Sequence, residues 1–176
     1  MPAVTDPLDD LPESPESLIA KSFFKVLEDD TILSAIFKDY RLVELPDPAS
    51  MPTFGTGTVV VAVKFNSIED WPSGRQTVRV DLLIGFYIQW EPTDEKAKCH
   101  GLRLVNRVRL LAWENQELKN TVAGTALAAV GKVITFATVK VRPLDLMATE
   151  SKGTWIVRCQ VTWETDIRPK TGDFEP

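Results

Sequence analysis

Apolar and polar positions alternate most regularly over "TVRVDLLIGFYIQWEP", Thr77 to Pro92. Every second residue from Val78 is apolar: Val78, Val80, Leu82, Ile84, Phe86, Ile88 and Trp90. The intervening set is Arg79, Asp81, Leu83, Gly85, Tyr87, Gln89 and Glu91, mixed and mostly polar. A period of two over so many positions predicts a strand with one buried face. Such a strand spans about 43 Å at ~3.3 Å per residue, about twice the usual length. "TVVVAVKF" before it alternates in the same way, with Val59, Val61, Val63 and Phe65 as one set. The connection "NSIEDWPSGRQ" carries Pro72-Ser73-Gly74 as turn chemistry, so the two strands are expected to form an antiparallel hairpin whose long loop projects.

Helical spacing dominates elsewhere. In "SPESLIAKSFFKVLEDD", Ser14 is placed to cap, Pro15 to occupy the first helical position, and Ile19, Phe23, Val26 and Leu27 to form one buried stripe. Asp29 or Asp30 restarts the pattern for a short second helix, with Ile32, Leu33, Ile36 and Phe37 as its apolar side. The prolines and glycines of "LPDPASMPTFGTG" favour an extended loop. "HGLRLVNRVRLLAWENQEL" reads as a helix starting at His100, with Leu104, Val105, Val108, Leu111 and Ala112 as its stripe. "KNTVAGTALAAVG" is ambiguous, its alanines favouring helix and Gly124 and Gly131 weakening it. "KVITFATVKVRP" is a strand, "LDLMATESKG" a loop, and "TWIVRCQVTWETDI" a closing strand with Trp155, Val157, Cys159, Val161 and Trp163 facing in. The order α, α, β, β, α, β, β predicts an α+β fold: an antiparallel or mixed sheet of about four strands with helices packed on one face. Residues 1–13 are expected to form a flexible N-terminal arm, residues 14–168 a single domain, and residues 169–176 a loose tail.

Composition narrows the function classes. At 176 residues the chain holds one full core, and 44% hydrophobic with 26% charged residues is ordinary for a globular protein. A formal net charge of −5 argues against a protein that grips nucleic acid through a broad basic face, yet suits one that lets DNA pass. No apolar run reaches the ~20 residues of a membrane span, and "MPAVTDPLDDLPESPES" lacks the basic and apolar regions of a leader, so a cytoplasmic, membrane-free protein is expected.

Candidate chemistry is sparse. Cys99 and Cys159 share no metal-ligand spacing, and with a single histidine a zinc site is not expected. His100 beside Cys99 lacks an orienting carboxylate and reads as a surface or capping residue. "FGTGT" precedes a strand and lacks the lysine of a phosphate loop. No carboxylate pair is singled out, so neither a cofactor nor an enzymatic role is expected. Arg103, Arg107 and Arg109 on one helix, with Arg75 and Arg79 near the hairpin, form either a solvated face or a surface for acidic neighbours or DNA phosphates. Trp90, Trp155 and Trp163 fall on apolar faces, whereas Trp71, next to Pro72 in the hairpin loop, is either tucked locally or an interface anchor rimmed by Glu69, Asp70 and Arg75.

Taken in order, "LIAKSFFKVLEDDTILSAIF", "LPDPASMPTFGTGTVVVAV", "RQTVRVDLLIGFYIQW" and "VKVRPLDLMATESKGTWIVRCQVTWETDI" resemble the opening helices, proline-rich approach, central strand and closing pair of the tail terminator (tail completion) proteins of tailed bacteriophages. The resemblance spans residues 15–168. The acidic N-terminal arm and the Pro-Ser-Gly turn depart from the family pattern. The resemblance implies a virion structural protein, assembled in the host cytoplasm. It would form a homo-oligomeric ring, usually a hexamer, that caps the tail tube, ends its polymerisation and meets the head connector while DNA passes through. On that view the long strand joins its neighbour's sheet through its polar face and edge, with Arg79 and Asp81 at the interface beside Arg103 and Arg107. Trp71, Glu69, Asp70 and Arg75 would meet the partner. Two other assignments fit the same pattern: a head-completion or neck adaptor protein of the same virion, and a monomeric α+β ligand-binding domain.

Overall fold

A computed structural model describes residues 14–44, 54–89, 94–118, 121–129, 132–148 and 154–169. Helix α1 runs Pro15–Asp29, and the Ser14 side chain accepts a hydrogen bond from the Ser17 amide at 3.3 Å, as a cap should. Its stripe of Ile19, Phe23 and Leu27 is buried, joined by Leu18 and Ala20, while Val26 is half-buried. Asp30 is extended, which stops α1, and its carboxylate accepts from the Leu33 amide at 2.9 Å to start α2, Thr31–Ile36. Only Leu33 and Phe37 of the expected apolar side are buried; Ile32 and Ile36 stand exposed.

Past α2 the chain forms strand β1, Asp39–Glu44, most of which the sequence pattern left unassigned. β1 lies parallel to β2, Thr58–Asp70, with Tyr40 opposite Val59 and Leu42 opposite Val61. β2 pairs antiparallel with β3, Gln76–Gln89. The connection expected to project as a long loop is mostly ladder: Ser67, Ile68, Glu69 and Asp70 pair with Arg79, Val78, Thr77 and Gln76. Cross-strand pairing here overrides the weak strand propensity of Asn, Glu and Asp. The register shifts between Val63 and Phe65, so Phe65 pairs with Asp81 and does not continue the alternation begun at Val59.

Helix α3 covers Asp94–Glu114, beginning ahead of His100, and α4 covers Val122–Ala129. β4, Lys132–Ala148, extends through "LDLMA", which the pattern assigned to a loop, and pairs antiparallel with β5, Thr154–Pro169. Pro169 therefore belongs to the sheet, opposite Lys132, and not to a loose tail.

The described residues form one five-stranded mixed sheet in the order β1-β2-β3-β5-β4, one strand more than expected and within the α+β class. α1 packs over β1 to β3, and α3 and α4 over the β4 end. The buried stripe of α3, Leu104, Val105, Val108, Leu111 and Ala112, meets the core as its spacing predicted. Trp163 lies at the centre, its ring 5.3 Å from that of Phe23. Trp155 is only half-buried, and Trp90 lies outside the described residues, as do the N-terminal arm and residues 170–176.

The long strand β3 is central, hydrogen-bonded to β2 on one side and to β5 along its whole length on the other. This corrects the expectation that it joins a neighbouring copy, because β2 lies against Gln76–Tyr87 on one side and β5 against Gln76–Gln89 on the other. Its second face is also buried: Asp81, Leu83 and Tyr87 are as enclosed as Leu82 and Ile84, with the Phe54 ring set edge-on to Tyr87 at 5.6 Å.

Candidate functional site

At one end of the sheet, β2 turns into β3 through Trp71–Arg75. The Gly74 amide donates to the Trp71 carbonyl at 2.9 Å, and the Trp71 amide to the Arg75 carbonyl at 2.9 Å. Pro72 suits the first corner of such a turn, and Gly74 takes φ +73°, the left-handed region that closes a three-residue hairpin loop. A Cβ at Gly74 would also sit 3.3 Å from Cγ of Pro169, so both backbone and space select glycine.

The turn holds Trp71 in a fixed attitude while leaving its side chain 47% exposed. Trp71 Nε1 donates to Thr77 Oγ1 at 3.3 Å, and Thr77 Oγ1 donates in turn to Asp166 Oδ1 at 3.0 Å. The Arg75 guanidinium lies 5.4 Å from the indole centroid and pairs with Asp166 Oδ2 at 2.5 Å. Gln76 donates to Asp70 at 2.8 Å and accepts from Lys132 at 3.1 Å, tying the rim to β4. Glu69 is exposed beside them. The four residues expected around this turn are thus together. Asp166, which fastens it from β5, carried no signal in the sequence, because its role depends on standing opposite Thr77 in the sheet.

The remaining expected interface residues fall elsewhere. Asp81 is 4% exposed and accepts from Gln160 at 3.2 Å, from Thr162 and from Arg79 at 3.2 Å. It is an internal residue of the subunit and not a surface charge; Arg79 reaches in from the surface to meet it. Arg107 is likewise engaged within the subunit: its Nη2 pairs with Asp30 Oδ2 and its Nε donates to Asp30 Oδ1 at 3.3 Å, linking α3 to the α1–α2 junction. Burial disfavours a charged Asp30, but the Arg107 guanidinium and the Leu33 amide outweigh it and hold the carboxyl below its usual value. Arg103 and Arg109 remain exposed.

Two of the grooves along α3 are lined in part by exposed apolar residues. One, about 420 Å³, lies between α2 and α3, with Ile32, Ile36, Ile88 and Leu104 as its apolar lining and His100 and Arg103 among its polar groups. The other, about 330 Å³, lies between α3 and β4 and is lined by Arg109, Trp113, Val139 and Val141 among others. Trp113 is 70% exposed, and Leu102 and Leu110 are exposed on the same helix. The helical periodicity that located the buried stripe also puts these three on the outer side.

Among the described residues no cluster of three or more His, Cys, Asp or Glu is placed to hold a metal ion. Among them, too, no helix is long and apolar enough to cross a membrane. No known family model matches the chain, and no curated protein matches it at a significant level.

Proposed function

We propose that this protein is a virion structural subunit that assembles as a homo-oligomeric ring, caps a phage tail tube, ends its polymerisation and joins the tail to the head connector. The order of helix pair, proline-rich segment, long hairpin, helix and closing strand pair supports the reading. The observation that carries it is the fixed Trp71 on the turn at the end of the sheet. An aromatic already held by a turn, a cation and a hydrogen bond gives up little conformational entropy when a partner covers it. Rim charges at Glu69, Asp70 and Arg75 surround it, the arrangement of a contact patch with a desolvated centre. Repeated around a ring, weak single contacts hold a tube end through multivalency. The net charge of −5 accords with DNA passing through without being gripped.

The test is Trp71→Ala. Because the side chain is half outside, the variant folds with a loss of about 1 kcal/mol or less. It forms rings by sedimentation and electron microscopy but no longer caps purified tubes, which then grow to irregular length. A variant that caps as well as wild type removes Trp71 from the contact.

A neck adaptor of the same virion would share the ring and differ in binding the portal rather than the tube, which a binding assay against each distinguishes. The groove between α2 and α3 favours a second class of reading, a monomeric ligand-binding domain. A chain that sediments as a monomer at every concentration selects that one.

A further inference from the structure

The groove between α2 and α3 is apolar on one side and cationic on the other. Leu33, Ile88 and Leu104 are buried along its floor, and Ile32 and Ile36 stand over them at 52% and 50% exposure. Arg103 and Arg107 line it from α3. We propose that this groove binds a small amphipathic carboxylate, an alkyl chain of medium length with one anionic head. Ile88 lies at the opposite end of β3 from the Trp71 turn, so the site is separate from that contact, and the proposal applies to a ring and to a monomer alike.

Helix geometry accounts for the apolar part. Ile32 and Ile36 are four residues apart on α2 and therefore neighbours on one face, while Leu33 beside them turns into the core. An alkyl chain laid between these isoleucines and Leu104 removes apolar surface of both partners from water, which is the driving force for binding. Along α3 the lining runs from His100 to Arg107, about 10 Å at 1.5 Å per residue, the length of a chain of roughly eight carbons. The volume of about 420 Å³ lies within the range of small-molecule sites, ~300–1,000 Å³.

Charge selects the head group. Arg107 is already committed to Asp30, so the guanidinium the groove offers an incoming anion is that of Arg103, exposed at its mouth. The planar fork of a guanidinium matches a carboxylate through two parallel hydrogen bonds. An alcohol of the same chain length forgoes that pairing, and an alkylammonium is repelled. Arg103 directly precedes the buried Leu104, so cation and apolar floor are adjacent and one short ligand reaches both.

The test is isothermal titration calorimetry of the full chain with octanoate, octanol and octylammonium as probes. Octanoate is expected to saturate at one molecule per chain, octanol to bind about tenfold or more weakly, and octylammonium not to bind. Arg103→Ala, at an exposed position, brings octanoate to the level of octanol and leaves octanol unchanged. Arg103→Lys keeps the charge without the fork and falls between wild type and Arg103→Ala. Ile36→Ser, at a half-exposed position, weakens octanoate and octanol alike, by about threefold to tenfold. Circular dichroism checks that each variant is folded. Equal affinity for octanoate and octanol, or octanoate binding untouched by Arg103→Ala, would overturn the site, as would the lack of saturable octanoate binding below about 1 mM. Retention of the chain on phosphatidylglycerol vesicles, or by an acidic leucine-rich peptide, with no binding of octanoate would assign the groove to a lipid surface or a protein partner and overturn it equally.

Discussion

Replacing Arg107 by Met tests how the helices are fastened to one another. The substitution keeps the aliphatic stem and removes both guanidinium donors to Asp30, whose side chain is 4% exposed and retains the backbone amides of Leu33 and Ile32. Breaking a fully buried ion pair costs about 3–5 kcal/mol, because the surviving charge is left without compensation. The Arg107 side chain is 27% exposed and lines a groove open to water, so partial resolvation reduces the expected cost to about 2–3 kcal/mol. For a chain of this size that lowers the melting temperature by roughly 4–12 °C, read by circular dichroism at pH 7. The pH dependence has a definite sign. The folded-state value of Asp30 is depressed, so the stability it supplies is fully present above the unfolded value of ~3.9 and is lost as pH falls through the folded value. Arg107 stays protonated throughout. The gap between wild type and Arg107→Met is therefore wide at pH 7 and closes below about pH 4. Asp30→Asn keeps a capping side chain without the charge, and the two substitutions together are expected to fall short of their sum by about 1–2 kcal/mol. A gap that is equally wide at pH 3 and pH 7, or strict additivity, would refute the assignment.

The two charge reversals on β3 should behave differently. Asp81→Lys puts a cation among Gln160, Thr162 and Arg79 at a buried site and is expected to cost about 3–5 kcal/mol, so that urea unfolds the variant far earlier than wild type. Arg79→Glu, at a half-exposed side chain, is expected to cost about 1 kcal/mol; equal midpoints for the two variants would contradict the placement of Asp81. The cysteines provide a second check on burial. Burial pushes the Cys159 thiol up to about 12, while Cys99 is exposed. A thiol reagent at pH 8 should therefore modify one cysteine in the folded protein and the other only after denaturation, and two equally fast reactions would place Cys159 at the surface.

Much of the fold was legible because its signals are local. A period of two requires only that successive side chains point to opposite faces, so Val78 to Ile88 and Val157 to Trp163 declared their buried sides without reference to any partner. The stripes of α1 and α3 and the caps at Ser14 and Asp30 depend likewise on residues within a turn or two. The Pro-Ser-Gly turn belongs to the same class, whereas the sequence left open whether Trp71 beside it is tucked or exposed, and the structure leaves it 47% exposed.

Alternation reports a face, however, and not a neighbour. Nothing in β3 itself distinguishes a central strand from an edge, and the decision came from β2 and β5 pairing along both its sides. That pairing made Asp81 an internal acceptor for residues about eighty positions away, and set Asp166 beside Thr77 to hold the turn. Arg107 became a link between helices for the same reason, its partner lying 77 residues earlier. β1 escaped notice because a six-residue strand carries little alternation and is defined by the strand it lies against. Sequence determined which way each segment faces, through the geometry of the backbone; tertiary structure decided which segments meet, because strand order and long-range charge pairing arise only when distant parts of the chain come together.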